Sequence, residues 1–256
     1  MNEASTSING ILNHRVQLEQ PVDGFRVAVD TVLLAAAVPA SSGEKILDLG
    51  CGVGGAMLCV ARRIENISGL GIDIQSDLVE MCGRNIERNK EFASGLSVKL
   101  INVTDLPTNL HGSYDHALMN PPYHDEKAHS VSSNESKRVA NSESDEGDLG
   151  FWIYSAALAL KHGGSLSIIH RADRRDEIVS ILLDFAFGDI DLFPIAPMLG
   201  RDPKRIIVRA RKKAAPEYVE RCPLILHKSD GGYTDEADEL LRNAQGLDEL
   251  DQYSEG

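Results

Sequence analysis

The sequence is short of the residues that mark a membrane, secreted or zinc-stabilised protein. Only four of its 256 residues are cysteine, and they form no Cys-X-X-Cys pair, so neither a disulfide framework nor a zinc site is expected. The longest apolar run, residues 32–38, is far below the roughly 18 residues that a membrane span needs. The first residues carry neither a basic nor an apolar signal segment. These absences favour a cytoplasmic protein without a membrane partner.

Basic residues are also scarce, with 26 Lys and Arg against 39 Asp and Glu and a formal net charge of −13. Such a balance disfavours nucleic acid overall, because phosphate contacts dominate that kind of binding. The charge is nevertheless uneven, since residues 161–213 hold 11 basic and 7 acidic residues. An anionic partner is expected to use this region. Its two basic clusters are Arg171, Arg174 and Arg175, and Arg201, Lys204 and Arg205.

Segments of strand and helix character alternate from residue 45 to residue 211. Alternating βα units of this size predict an α/β fold with a mostly parallel sheet and helices on both faces. The short link at residues 197–204 predicts a hairpin and therefore an antiparallel edge. Predicted strands cover residues 45–50, 67–74, 98–103, 116–120, 165–170, 190–195 and 205–211, and predicted helices cover 56–65, 77–90 (capped by Ser76), 150–161 and 176–185.

We expect three parts along the chain. Residues 1–40 should form a hairpin (near 11–20) and a helix that ends at residue 38, with Asp30 as its N-cap, packed on the main α/β domain. That domain should cover residues 41–228, and residues 229–256 should form an acidic helix and a tail that frays after residue 246. The polar stretch at residues 124–148 is expected to be a lid or a disordered loop.

A glycine-rich loop, residues 48–55, joins the first strand of the predicted sheet to its helix. Gly50, Gly52 and Gly55 satisfy a G-X-G-X-X-G pattern, in which glycine allows a tight turn and close approach of a ligand. Asp73, 21 residues after Gly52, ends the second strand and is placed to accept hydrogen bonds from ribose hydroxyls. The glycines alone do not decide between NAD and S-adenosylmethionine. The expected cofactor contacts in this region also include Cys51 and Ile74.

Two further acids favour S-adenosylmethionine. Asp48 precedes the first glycine, and a carboxylate there suits a positively charged methionine moiety better than a pyrophosphate. Asp105, next to Thr104, can accept from the adenine amine of the cofactor while Leu106 covers the ring; an ordinary turn acid before a proline is the alternative. Asp30 is a further expected cofactor contact, although a plain helix cap explains it equally well.

The tetrapeptide Asn120-Pro121-Pro122-Tyr123 closes the fourth strand, at the sheet edge where such folds bind ligands. An amine conjugated to a ring is a poor nucleophile because its lone pair is delocalised. The Asn120 side chain, which also adjoins the cofactor, and the Pro121 carbonyl can each accept one N–H bond and draw the nitrogen toward tetrahedral geometry. Pro122 keeps the acceptors rigid, and Tyr123 offers a ring for stacking. These four residues are the predicted catalytic residues.

The sequence resembles the Rossmann-like N6-adenine methyltransferases, and among them the bacterial tRNA1(Val) adenine-37 N6-methyltransferase family. The resemblance covers nearly the whole chain. It implies a seven-stranded sheet of order 3-2-1-4-5-7-6 with the last strand antiparallel, S-adenosylmethionine as cofactor, and a tRNA anticodon-loop adenine as substrate. The motifs that carry it are Gln20-Pro21, Gly24-Phe25-Arg26, residues 30–35, the glycine loop, the tetrapeptide, Gly163-Gly164, residues 169–173, Leu226-His227 and residues 230–234.

Other interpretations of these motifs stay open. Asn-Pro-Pro-Tyr also serves enzymes that methylate glutamine amides in proteins or adenine in DNA. An NAD-binding oxidoreductase would share the glycine loop but gives the tetrapeptide no role, and an inactive cofactor-binding scaffold would not need it intact. His170 and Arg171 are candidates to line the substrate cleft, and Trp152 is expected to pack a helix against the sheet.

Overall fold

The computed structural model describes residues 6–22, 27, 29–122, 149–250 and 253. An antiparallel hairpin of two strands comes first, and nine strands form the central sheet of the described chain. The strands are β1 (Thr6–Ile11), β2 (Val16–Pro21), β3 (Lys45–Leu49), β4 (Ser68–Asp73), β5 (Leu96–Leu100), β6 (Tyr114–Met119), β7 (Leu160–Arg171), β8 (Phe187–Met198), β9 (Arg205–Lys212), β10 (Tyr218–Glu220) and β11 (Leu224–His227).

The helices fall between the strands as the sequence pattern predicts. Buried residues at helical spacing, such as Met81, Cys82 and Asn85, line one face of the helix at residues 76–88. The helices are α1 (Val29–Ala37), α2 (Gly55–Arg63), α3 (Ser76–Arg88), α4 (Lys90–Ala93), α5 (Leu149–Ala159), α6 (Arg175–Asp184) and α7 (Asp235–Asn243), with 3₁₀ turns at Val103–Asp105, Thr108–Leu110, Ala172–Arg174 and Leu247–Glu249.

The order of the central strands is β5-β4-β3-β6-β7-β9-β8, and β9 is antiparallel to both neighbours. Counted from β3, this is the order 3-2-1-4-5-7-6, so the predicted topology is confirmed. The hairpin predicted from residues 197–204 is formed by β8 and β9, and its antiparallel strand β9 lies between β7 and β8, as the confirmed order requires. One detail differs from prediction, because β10 and β11 extend the sheet by pairing parallel with β8. Both added strands are only three or four residues long, too short for an alternating pattern to reveal them.

Side chains alternate between two buried layers, as strand geometry requires. Leu118 of β6 and Ile169 of β7 face α1 and α2. Met119 and Ile168 face the opposite layer, which contains α5 and α6. Helices therefore cover both faces of the sheet, as expected.

Two predicted helix caps are wrong. Asp30 lies inside the first turn of α1, which begins at Val29. Ser76 is the first residue of α3 rather than its cap, and its hydroxyl donates to the adjacent Asp77 carboxylate at 3.2 Å. The first helix begins two residues earlier than the pattern indicates and the other begins one residue earlier, a common uncertainty at helix ends.

The segment after residue 246 does not fray where the structure describes it. Leu247, Leu250 and Tyr253 are buried. The Tyr253 hydroxyl donates to the Cys222 carbonyl at 2.6 Å, and its ring packs edge-on against Phe193 with centroids 5.1 Å apart. Apolar residues in an acidic tail were the sequence signal for this packing.

Among the described residues no helix is long and apolar enough to cross a membrane. The predicted lid at residues 124–148 and the predicted catalytic Tyr123 lie outside the described residues.

Candidate functional site

The glycine loop turns the chain sharply from β3 into α2. Gly50, Gly52 and Gly54 have φ values of 67°, 54° and 85°, a region that side chains with a Cβ rarely adopt. The Cys51 amide donates to the Ile72 carbonyl at 2.9 Å, which fastens the loop to the end of β4. The loop therefore lies at the carboxyl edge of two adjacent parallel strands.

The glycines of this loop are required for different reasons. A Cβ at Gly50 would lie 2.5 Å from the ring of Trp152, and one at Gly54 would lie 2.6 Å from the Cys82 sulfur. Both positions are thus filled by packing within the protein. A Cβ at Gly52 would meet nothing within 4 Å, so this glycine opens space at the surface of the loop. Trp152 packs α5 against the sheet, as expected.

Asp73 connects the end of β4 to the glycine loop. It is buried, and its carboxylate accepts from the Gly52 amide and from the Gln75 amide, both at 2.9 Å. Beside it Ile74 is 53% exposed. Such a pair suits a ligand with hydroxyl groups and a ring. The acid can accept hydrogen bonds from the hydroxyls, and the exposed apolar side chain can cover the ring.

Asp48 is the buried acid at the start of the loop. The pKa of its carboxyl is raised to about 7, chiefly by burial. The nearby charge of Asp73 contributes to this rise, and the Met57 amide, which donates to the carboxyl at 3.3 Å, opposes it. A carboxyl in this position is ionised more easily when a cation lies beside it. The site therefore favours a positively charged group.

Cys51 is not a nucleophile in this site. The Cys82 thiol beside it and its own burial raise the pKa of the Cys51 thiol well above the ordinary value. Since the thiolate is the reactive form, this side chain serves packing.

The loop after β5 begins next to Asp73, because the Ile101 amide donates to the Asp73 carbonyl at 3.0 Å. A 3₁₀ turn then exposes Thr104 and Asp105 and buries Leu106. The Ser155 hydroxyl of α5 donates to the Val103 carbonyl at 2.5 Å and holds the turn in place. The predicted cofactor residues of β3, β4 and β5 therefore share one edge of the sheet.

The predicted catalytic tetrapeptide begins directly after β6, which pairs with β3 on one side and β7 on the other. Asn120 is half-buried, Pro121 is buried and Pro122 is exposed. The Asn120 side chain thus stands at the same edge as the glycine loop, one strand away. Because adjacent strands are about 4.8 Å apart, the two elements can serve one reaction.

His170 is the penultimate residue of β7, the strand beside β6 and Asn120. It is buried, and this burial together with the positive charge of Arg174 lowers the pKa of its imidazole to about 4. The ring is therefore neutral at physiological pH. Arg171 turns to an ion pair with Asp173.

Asp30 lies at this edge through α1. A Cβ at Gly55 would lie 2.8 Å from Val27 and 3.1 Å from Thr31, so the start of α1 packs on the glycine loop. Asp30 itself forms an ion pair with Arg205 at 2.9 Å. This partner was missed from the sequence, because the two residues are 175 positions apart.

Sequence reasoning also missed Asn85. This residue is fully buried on α3, and its amide donates to the Val53 carbonyl of the glycine loop at 3.0 Å and to the Glu19 carbonyl of β2 at 2.8 Å. Its oxygen accepts from the Glu19 amide at 2.7 Å. A polar residue on the apolar face of an amphipathic helix was the available signal.

The donor set at this edge fits S-adenosylmethionine. The open face at Gly52 admits a ligand against the backbone. The buried carboxyl of Asp48 favours a cation, and Asp73 with Ile74 suits a ribose and a ring. A pyrophosphate would place its negative charge against Asp48, which disfavours NAD.

The fold and this edge define an α/β methyltransferase that uses S-adenosylmethionine. A family model, the methyltransferase small domain, matches residues 26–193, and the chain belongs to that family. It is similar to a tRNA1(Val) (adenine(37)-N6)-methyltransferase of Shewanella sediminis, with 26% identity over 85% of this chain and 91% of the relative. An rRNA N6-adenosine methyltransferase of Caenorhabditis elegans is 25% identical over 67% of this chain and 72% of its own.

The structure is similar to that of a predicted O-methyltransferase from Agrobacterium tumefaciens. The TM-score is 0.71 and the identity 27%, over 85% of this chain and 97% of that one. Because the superposition covers most of both chains, the two proteins share nearly the whole architecture.

Proposed function

We propose that this enzyme transfers a methyl group from S-adenosylmethionine to the N6 amine of an adenine in RNA, with a tRNA anticodon loop as the substrate. The observation that carries the proposal is the position of Asn120 and Pro121 directly after β6, at the edge that holds the glycine loop. Relatives that match most of the chain are named as adenine N6-methyltransferases of tRNA and rRNA, which supports an RNA substrate.

In the proposed reaction the Asn120 side-chain oxygen and the Pro121 carbonyl each accept one N–H of the target amine. These two hydrogen bonds localise the nitrogen lone pair, and they strengthen as positive charge develops on the nitrogen. Pro121 and Pro122 restrict the backbone, so the acceptors are in place before the reaction. Tyr123 is proposed to stack on the base. The amine becomes acidic on methylation and loses its proton afterwards, so no strong base is required.

The cofactor-binding residues are likewise a proposal. S-adenosylmethionine supplies an electrophilic methyl group on a sulfonium when it is bound. Asp48 and Asp30 are assigned to its methionine part, and Asp73 to the ribose hydroxyls. Ile74 and Leu106 are assigned to the adenine ring. The remaining assigned contacts are Gly50, Cys51, Gly52, Thr104, Asp105 and Asn120.

RNA loops are favoured over duplex DNA because of the cost of reaching the base. An adenine inside a duplex has to be flipped out at a cost of a few kcal/mol, whereas a loop base is already accessible. Among the described residues, the turn between β8 and β9 places the exposed basic side chains of Arg201 and Lys204 at this edge, as contacts with an RNA backbone would require.

The direct test is transfer of labelled methyl groups to bulk tRNA, duplex DNA and a glutamine-containing protein substrate, followed by mass spectrometry of digested nucleosides. N6-methyladenosine from tRNA is the expected product. If the label appeared only in protein or only in DNA, the assignment of RNA as the substrate would be wrong. A binding titration with NAD, expected to show no saturation, checks the oxidoreductase alternative.

A further inference from the structure

The turn at residues 199–204, between β8 and β9, stands at the same edge as the tetrapeptide. Arg205, which begins β9, pairs in register with Arg171 of β7, and Ile168 pairs with Met119 of β6. Measured along the strands, the turn therefore lies farther beyond this edge of the sheet than Asn120 does. Since β7 alone separates β9 from β6, the lateral distance between the two strands is about 10 Å.

The turn presents an apolar side chain to solvent. Leu199 is 86% exposed, more than any other large apolar residue in the described ranges. The turn is nevertheless well ordered by hydrogen bonds. The Arg201 amide donates to the Met198 carbonyl at 3.1 Å, and the Lys204 amide donates to the Ile195 carbonyl at 3.0 Å. A single exposed leucine is ordinary on a protein surface, so its exposure alone does not indicate a partner. What distinguishes Leu199 is its place on a short turn that also carries Arg201 and Lys204.

The charges around Leu199 are positive and available. Arg201 and Lys204 are exposed, and neither forms an ion pair within the part of the chain that the structure describes. With Asp202 the turn carries a formal charge of +1, in a chain whose net charge is −13.

The other basic cluster is engaged by acids instead. Arg171 pairs with Asp173, Arg174 with Glu177, and Arg175 with Glu220. These pairs neutralise the cluster that lies closest to Asn120. The sequence favours this cluster as the one beside the tetrapeptide. In the second cluster Arg205 is paired with Asp30, so Arg201 and Lys204 are the members that the described ion pairs leave available.

We propose that the turn at residues 199–204 is an RNA-binding element of this enzyme. Leu199 packs against unstacked bases of the substrate loop, as apolar wedges of nucleic-acid-binding proteins do. Arg201 and Lys204 bind the phosphates on either side. This inference rests on the proposed function, since it requires RNA as the substrate. It adds the element that holds the RNA while the adenine reaches Asn120.

The test uses three single variants of the full chain and the tRNA substrate. Lys204→Glu should weaken tRNA binding roughly tenfold and reduce the slope of log affinity against log salt by about 0.7–0.9, the loss of one phosphate contact. Leu199→Ala should weaken binding by a similar factor but leave the salt slope unchanged, because no charge is removed. Lys213→Glu is the matched control. Lys213 is exposed at the opposite end of β9, and its reversal should change neither quantity.

The outcomes separate this inference from the proposed function. The inference is overturned if the parental enzyme methylates tRNA and Lys204→Glu retains the parental affinity and salt slope. Equal effects of Lys204→Glu and Lys213→Glu would also overturn it, because they would show only a general charge effect. If the parental enzyme methylates no RNA, the proposed function is wrong, and the inference that depends on it is wrong as well. Unchanged S-adenosylmethionine affinity in each variant checks that the fold is intact.

Discussion

The Asp73 carboxylate accepts a hydrogen bond from the Gly52 amide at 2.9 Å. This contact joins the end of β4 to the one glycine of the loop that faces open space. The acid therefore has two functions in our account. It fixes the loop conformation through one oxygen, and it offers remaining acceptor capacity to a ribose.

Replacing Asp73 should accordingly weaken cofactor binding. We expect Asp73→Ala to lower the affinity for S-adenosylmethionine about tenfold to a hundredfold, the usual effect of losing a hydrogen bond to a charged acceptor. Calorimetry measures this directly. Asp77→Ala, which removes an exposed acid at the start of α3, is the control and should bind as the parent does. Parental affinity in Asp73→Ala would refute the ribose assignment.

Substitution of Gly50 and of Gly52 should affect the protein in different ways. In Gly50→Ala the new Cβ meets the Trp152 ring at 2.5 Å, so we expect unfolding at a temperature several degrees lower, in line with about 1–3 kcal/mol of overpacking. In Gly52→Ala the Cβ enters open space, so packing is retained apart from the strain of a positive φ, and cofactor affinity should fall more than stability. Thermal melts measure the stability of both variants, and calorimetry measures their affinity for the cofactor. Equal losses of stability and equal losses of affinity in the two variants would contradict the different roles assigned to Gly50 and Gly52.

Cofactor affinity should depend on pH through Asp48. Its pKa of about 7 means that the carboxyl is largely protonated below that pH in the free enzyme. An ionised carboxylate attracts the cationic methionine part, so affinity should rise between pH 5.5 and 7 and then level off. Asp48→Asn should bind weakly with little pH dependence over this range. A parental enzyme whose affinity is constant from pH 5.5 to 8 would show that Asp48 does not face the cation.

The same pKa has a consequence for folding. A carboxyl whose pKa is higher in the folded than in the unfolded chain opposes folding when it ionises, so its contribution to stability is lost as pH rises from about 4 to about 7. Asp48→Asn is therefore expected to be more stable than the parent at pH 8. Denaturant unfolding at pH 5 and pH 8 measures the change, and a variant that loses stability equally at both values would argue against this reading.

Asn85 is expected to act as a positioning residue for the glycine loop. Asn85→Leu removes three hydrogen bonds to β2 and the loop and leaves buried backbone groups without partners, at about 1–3 kcal/mol for each group. We expect a lower unfolding temperature and a weaker affinity for S-adenosylmethionine. A control that lowers stability elsewhere is Leu182→Ala, in the opposite layer. If both variants lose stability while neither changes cofactor affinity, Asn85 has a structural role only.

The fold was predictable because its signals are local. Alternating strands and helices predicted the sheet, and the resemblance supplied the strand order. The short edge strands β10 and β11 have no comparable signal, since three or four residues cannot show a period. Buried Leu250 and Tyr253 were a signal for packing of the tail, but the acidic composition around them favoured the prediction of a frayed end.

The candidate site was predictable to the extent that its residues follow strands. Asp48, Asp73 and Asn120 come at or next to strand ends, and parallel pairing brings such ends to one edge. Contacts between distant segments were not predictable. The ion pair of Asp30 with Arg205 and the hydrogen bonds of Asn85 depend on how the N-terminal segment packs, which periodicity does not encode.

The central claim is that Asn120 accepts a hydrogen bond from the amine that is methylated. The measurement that tests it most directly is the rate of methyl transfer to tRNA by Asn120→Ala, with cofactor and tRNA both saturating. Our account predicts a loss of roughly a hundredfold or more in turnover with nearly parental S-adenosylmethionine affinity, because the contact strengthens in the transition state. Turnover at the parental rate in this variant would contradict it.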